Sequence, residues 1–162
     1  MLRRIKSEVL DQLPDKVEKV LRCDLSAWQK TIYRQIQASA RGQGSKTGAL
    51  VKGLNNALMQ LRKVCNHPYL FLKEGWEIDE NIARSSGKFE LLDRMLPKLK
   101  KAGHRVLIFT QMTQVMTILE DYLNLRSYKH LRLDGSTAAD DREKRMKEFN
   151  AEDSDYFIFL LR

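Results

Sequence analysis

Long apolar runs are missing from this 162-residue sequence. No stretch approaches the ~20 apolar residues that would cross a bilayer, so no transmembrane helix is read. The opening, Met1-Leu2-Arg3-Arg4-Ile5-Lys6, is basic but has no apolar stretch behind it, which argues against a secretory leader. Cysteine is scarce. Cys23 and Cys65 make no disulfide framework and fit a reducing, intracellular compartment. Cys65-Asn66-His67 has no second ligand pair, so a helix end and core packing explain it better than a metal. His104 and His130 stand beside strands without triad partners at a recognisable spacing. Acid is missing from residues 31–72, where Arg34, Arg41, Lys46, Lys52, Arg62 and Lys63 stand without a carboxylate. The net charge of +8 is thus concentrated in one segment. That pattern suits a polyanion, while a solvated helical face that merely lacks acid remains open.

Two regions differ in their periodicity. Over residues 1–72 the pattern is helical. Ser26-Ala27-Trp28-Gln29 has the form of a capping box, and Trp28, Ile32 and Ile36, flanked by Tyr33, follow at helical spacing. Small and polar residues from Ser39 to Gly48 predict a break. Leu50, Leu54, Leu58, Leu61 and Cys65 then form a second stripe, which Pro68 ends. Residues 73–85 carry Glu74, Glu77, Asp79 and Glu80 and read as an acidic, partly flexible linker.

Residues 86–162 alternate helix and strand. Phe89, Leu92, Met95, Leu96 and Leu99 form a helical stripe, with a kink expected at Pro97 and a stop at Gly103. Val106 to Phe109 is a continuous apolar run, expected to be a strand buried on both faces. Val115, Ile118, Leu119 and Tyr122 mark a helix, and Tyr128 to Leu133 a strand. Arg142 to Phe149 should be helical with Met146 and Phe149 inward, and Tyr156 to Leu161 is a third strand. The alternation predicts a parallel sheet with right-handed crossovers. A last strand at the chain end predicts an unprotected sheet edge, marginal stability and a tendency to aggregate.

Ligands of such sheets gather at the carboxyl ends of the strands. Two loops leave those ends, Thr110-Gln111-Met112-Thr113 and Asp134-Gly135-Ser136-Thr137. Each runs into a helix start, where backbone N–H groups suit phosphate. Gln111 has no capping duty and is read as a contact residue. Gly135 would admit a backbone closely. Thr137 and Asp140 resemble a T-x-x-D cap, so the Thr137 hydroxyl serves either the helix or a ligand. Gly42-Gln43-Gly44-Ser45-Lys46-Thr47 has the look of a phosphate loop, but its spacing is wrong and it lies between helices.

Several strings together resemble the SWI/SNF-type chromatin-remodelling ATPases of helicase superfamily two. Met1 to Val9, with Leu13-Pro14-Asp15-Lys16, is similar to the end of their first motor lobe. Leu58 to Phe71, with its Asn66-His67-Pro68-Tyr69, is similar to their brace, and Ser86 to Asp93 to the entry of their second lobe. Arg105 to Thr113 resembles helicase motif four, and Leu131 to Thr137 the following motif. The resemblance implies an α/β fold: the end of the first lobe and a helical brace over 1–72, the linker over 73–85, and a partial RecA-like parallel sheet, a truncated second helicase lobe, over 86–162. It implies ATP-driven translocation on double-stranded DNA that moves nucleosomes, in the nucleus, among remodelling-complex subunits and away from membranes. ATP and magnesium belong to the intact parent; none is expected on this stretch alone. The family's phosphate-binding lysine and magnesium-binding acids precede it, and its arginine-finger motif follows the third strand. The family continues that strand into a Ser-Thr-Arg-Ala-Gly-Gly loop, whereas here Arg162 follows Leu161, a departure that implies a truncation or an altered gene model. No catalytic, cofactor-binding or metal-binding residue is therefore assigned. Gln111, Met112, Thr113, Arg132, Gly135, Ser136 and Thr137 match family positions that face the DNA backbone. Against this inactive piece of a DNA-dependent ATPase stands a second reading, a stand-alone DNA- or protein-binding regulatory module without ATPase activity.

Overall fold

The computed structural model describes residues 16–42, 47–72 and 75–162. The strings over residues 1–15, most of the glycine-rich loop before Thr47, and Glu74 lie outside the described residues. Two helices, α1 (Ala27–Gly42) and α2 (Thr47–Asn66), are followed by a 3₁₀ turn (Pro68–Phe71) and a short α3 (Asn81–Arg84). Then come α4 (Gly87–Lys101), β1 (Val106–Phe109), α5 (Thr113–Leu125), β2 (His130–Leu133), α6 (Ala139–Asn150) and β3 (Ile158–Leu161). Among the described residues no helix is long and apolar enough to cross a membrane.

Local chemistry sets the helix limits. The Gln29 amide donates to Ser26 Oγ at 3.1 Å, and the Ser26 amide donates to Gln29 Oε1 at 2.9 Å, the reciprocal bonds of a capping box. Before Pro68, His67 takes extended geometry and α2 stops. Helix α4 runs on through Pro97 to Lys101. It ends where Gly103 adopts a φ of +73°, which lets the His104 amide reach back to the Leu99 carbonyl at 3.0 Å.

The three strands are parallel in the order β1-β3-β2. The chain steps over β3 on its way from β1 to β2 and then returns to the middle. The two crossovers run in opposite directions and put α5 and α6 on opposite faces, as connections of one hand do. Ile158 and Leu160, with Val106 and Ile108 beside them, join Leu96 of α4 and Met116, Ile118, Tyr122 and Leu123 of α5 in the main core. On the other face Phe149 of α6 lies against Phe159, ring centres 5.2 Å apart.

This topology corrects four expectations. β1 is not buried on both faces: Leu107 is 52% and Phe109 74% exposed, because α6 follows β2 and packs beside β3 rather than over β1. β3 is central, so among the described residues the open edges belong to β1 and β2, not to the last strand. Met146 is 46% exposed while Phe149 is buried, since α6 lays only its last turn on the sheet's aromatic face. On α2 the buried edge passes through Val64, leaving Leu58 63% exposed.

The acidic segment is docked along part of its length. Ile82 and Ala83 enter the core, and the Trp76 indole donates to Asp121 at 2.9 Å. Arg126 clamps this segment, reaching Glu80 at 2.6 Å and Asp93 at 2.7 Å. The helical pair packs on the sheet-bearing half through buried polar groups. Gln29 Nε2 donates to the Val64 carbonyl at 2.6 Å, and Gln29 Oε1 also accepts from the Gly87 amide at 3.0 Å. Ser26 Oγ donates to the Ser85 carbonyl at 2.6 Å, and Ser86 Oγ to the Asn66 carbonyl at 2.7 Å.

Candidate functional site

Both sequence-selected loops leave the carboxyl edge of the sheet. β1 and β2 flank β3, so the loops stand about 10 Å apart, two strand spacings. At the β1 mouth, Thr110 closes the ladder with its amide on the Leu161 carbonyl at 3.0 Å. Gln111 follows and is exposed. Met112 is extended and half-buried, and Thr113 opens α5.

The β2 loop is built around Asp134, a buried carboxylate. Its Oδ1 accepts from the Ser136 hydroxyl at 2.5 Å and the Ser136 amide at 2.9 Å. Its Oδ2 lies 2.7 Å from the Arg132 guanidinium. The Ser136 hydroxyl, then Arg132, hold this carboxyl well below the usual carboxylate range. Thr137 Oγ1 accepts from the Asp134 amide at 3.1 Å, and Ala138 is the N-cap of α6, without a side-chain cap. The T-x-x-D cap therefore does not form; the Thr137 hydroxyl closes the turn instead. Arg142 donates to the Thr137 carbonyl at 3.0 Å and the Asp134 carbonyl at 2.9 Å, bracing the loop from α6.

Arg132 is engaged on both sides. Beyond Asp134, its guanidinium lies 2.5 Å from Glu120, and its own backbone carbonyl accepts from Arg145. Two carboxylates offset its charge, so its direct effect is on loop shape. Gly135 is the exposed tip, and a methyl group added there would meet no atom within 4 Å.

Gln111 shares a groove of about 330 Å³ with Arg62, Asn66, Lys88 and Thr110. The Asn66 side chain ties its walls together: Lys88 Nζ donates to Asn66 Oδ1 at 2.9 Å, and Asn66 Nδ2 lies 3.7 Å from the Met112 sulfur. Sequence reasoning did not select Arg62, Asn66, Lys88, Asp134 or Arg142. The acid-free stretch pointed toward Arg62, but no local pattern joins α2, α4 and β1 at one place. Among the described residues no group of three His, Cys, Asp or Glu is placed to hold a metal ion.

Residues 1–70 match the SNF2-related domain, and residues 87–161 match the helicase conserved C-terminal domain. Over 163 residues the chain is 53% identical to the probable ATP-dependent DNA helicase CHR23 of Arabidopsis thaliana, an alignment covering 99% of this chain and 15% of that protein. It is 50% identical over 173 residues to the nuclear protein STH1/NPS1 of Saccharomyces cerevisiae, covering 99% of this chain and 13% of that protein. The chain thus spans only a small part of the length of these curated relatives. Among solved structures, the Sulfolobus solfataricus SWI2/SNF2 ATPase core in complex with dsDNA matches with a TM-score of 0.81 at 21% identity, over 99% of this chain and 34% of that chain. At that identity the likeness is one of fold.

Proposed function

Because the chain belongs to the SWI/SNF-type ATPases and has part of their RecA-like C-terminal lobe, we propose that it works as the brace and opening half of the second motor lobe of a nuclear remodeller. Residues 1–72 close the first lobe and form the brace, 73–85 link, and 86–162 open the second lobe. The intact protein translocates on double-stranded DNA to move nucleosomes, together with remodelling-complex subunits. ATP and magnesium are bound by the intact protein, and this piece alone turns over no ATP. Gln111, Met112 and Thr113 face the DNA backbone from one strand mouth, and Arg132, Gly135, Ser136 and Thr137 from the other. Within the second set Gly135 makes the close approach and the other three hold its loop.

The observation that carries this reading is the pair of exposed tips, Gln111 and Gly135, at two mouths of one parallel sheet. Backbone contacts at such tips are independent of base sequence, as a motor on arbitrary DNA requires. The test is fluorescence anisotropy with a labelled duplex, with phosphate release measured on the same protein. Two to four phosphate contacts weaken binding roughly 10- to 100-fold between about 50 and 200 mM salt. Gly135→Ala, which the fold admits without a clash, should weaken binding several-fold at an unchanged melting temperature. Phosphate release should stay at the buffer blank with or without duplex. Absence of binding at low salt would refute the DNA reading, and DNA-stimulated turnover lost in Gln111→Ala would refute the inactivity.

A further inference from the structure

We propose that the groove between the end of α2, the start of α4 and the β1 mouth is an anion site for a nucleic-acid phosphodiester, with Arg62 and Lys88 as its cations. The inference rests on the DNA reading above and adds to it the groups that supply charge. Of the seven strand-mouth residues only Arg132 is cationic, and Glu120 and Asp134 already hold it. That set offers amides and hydroxyls. Affinity for a polyanion comes mainly from lysine and arginine neutralising phosphates.

The groove supplies what the loops lack. Arg62 reaches it from the last turns of α2 and Lys88 from the first turn of α4, and both are exposed. Among the described residues no Asp or Glu lines it. Lys88 is oriented by a neutral partner, the Asn66 carboxamide, so its full charge is kept. Gln111 and Thr110 complete the wall with a side-chain amide and a hydroxyl, the donors that accompany cations at phosphate oxygens. The walls come from three separate segments, and their spacing is set without any ligand. Asn66 bonds Lys88, meets Met112, and accepts at its carbonyl from Ser86. A site preorganised in this way loses little freedom on binding. It also explains why Arg62, in the acid-free stretch, lies beside the β1 loop: the brace lends charge to two strand-mouth loops whose one cation, Arg132, is already held by carboxylates.

The experiment titrates a labelled duplex of arbitrary sequence against the full chain, Arg62→Gln, Lys88→Gln and the double variant. Lys98→Gln/Lys101→Gln serves as the control, removing two charges at least about 15 Å further along α4. The double variant should lose about tenfold in affinity at low salt, and its slope of log affinity against log salt should fall by about 1.8. The control should change much less. Lys88→Arg, which keeps the charge should Lys88→Gln loosen Asn66, should bind as the parent does. Parent binding with a normal salt slope that the double variant leaves unchanged would overturn this site while leaving the DNA reading intact. Failure of the parent to bind would overturn both. Millimolar ATP and inorganic phosphate form the second arm. Neither should displace the duplex; displacement by ATP that depends on Arg62 and Lys88 would make a nucleotide phosphate the ligand and overturn the assignment to DNA.

Discussion

Gln29 is a buried carboxamide whose bonds are all made inside the protein, to Ser26, Val64 and Gly87. Its partner three residues back could be read from the sequence as a capping box. Its partners 35 and 58 positions away could not, since no spacing rule links residues so far apart. His67 repeats the lesson. Its Nδ1 accepts from the Tyr69 amide at 3.1 Å and its Nε2 lies 2.8 Å from the Ile82 carbonyl, so the ring is neutral with the proton on Nε2. Burial pushes its pKa down from 6.5 to about 4, with the Ile82 carbonyl opposing in part. The folded value lies below the unfolded one, so protons favour the unfolded chain. The contribution of His67 is whole above pH 6.5, is lost as pH falls from 6.5 toward 4, and levels off below. The expected loss is at most about 3 kcal/mol. Denaturant melts across that window, for the parent and His67→Asn, isolate it: the parent should lose stability more steeply than the variant. Parallel pH profiles would count against a neutral buried ring.

Among the elements, the entry to α4 is where steric fit decides most. A Cβ on Gly87 would stand 1.7 Å from the Asp24 carbonyl oxygen, a backbone atom, so glycine is required by close approach. Gly87→Ala should therefore push the segment before α1 off the sheet-bearing half. The expected cost is about 1–3 kcal/mol, with faster proteolysis ahead of α1. A variant with parental melting temperature and protease resistance would contradict that packing. The string Ser86-Gly87-Lys88 announced a helix entry, while the need for a bare Cα came from a residue more than sixty positions earlier. The strands teach a related point. Val106 to Phe109 is apolar throughout, which identified a strand but not which face would be covered. Coverage depended on α6 returning beside β3. Likewise the loop after β2 could be placed from Asp134-Gly135, but the role of Arg132 could not. Its direction was settled by Glu120, on a helix of the opposite crossover.

For the molecule as a whole, the sheet has three strands, and among the described residues two of its edges are open and one apolar strip, Leu107 and Phe109, is bare. Exposed apolar strand edges pair with other chains. Concentration-dependent self-association is expected in sedimentation, and Leu107→Lys should reduce it with little change in melting temperature. A parent that stays monomeric up to high concentration would remove the basis for that expectation. Periodicity, turn residues and caps act over a few positions, so the order of the long helices and the strands, the parallel α/β class and the two strand-mouth loops were legible among the described residues, while the short α3, inside the stretch read as a linker, was not. The family strings were legible for the same reason, being contiguous. Long-range packing made the remaining decisions: that β3 sits between β1 and β2, that the basic helical segment docks on the sheet-bearing half, that Arg132 is held by carboxylates, and that Arg62 and Lys88 meet beside Gln111. Each depends on which surfaces bury one another, and burial is a property of the folded chain rather than of any stretch within it.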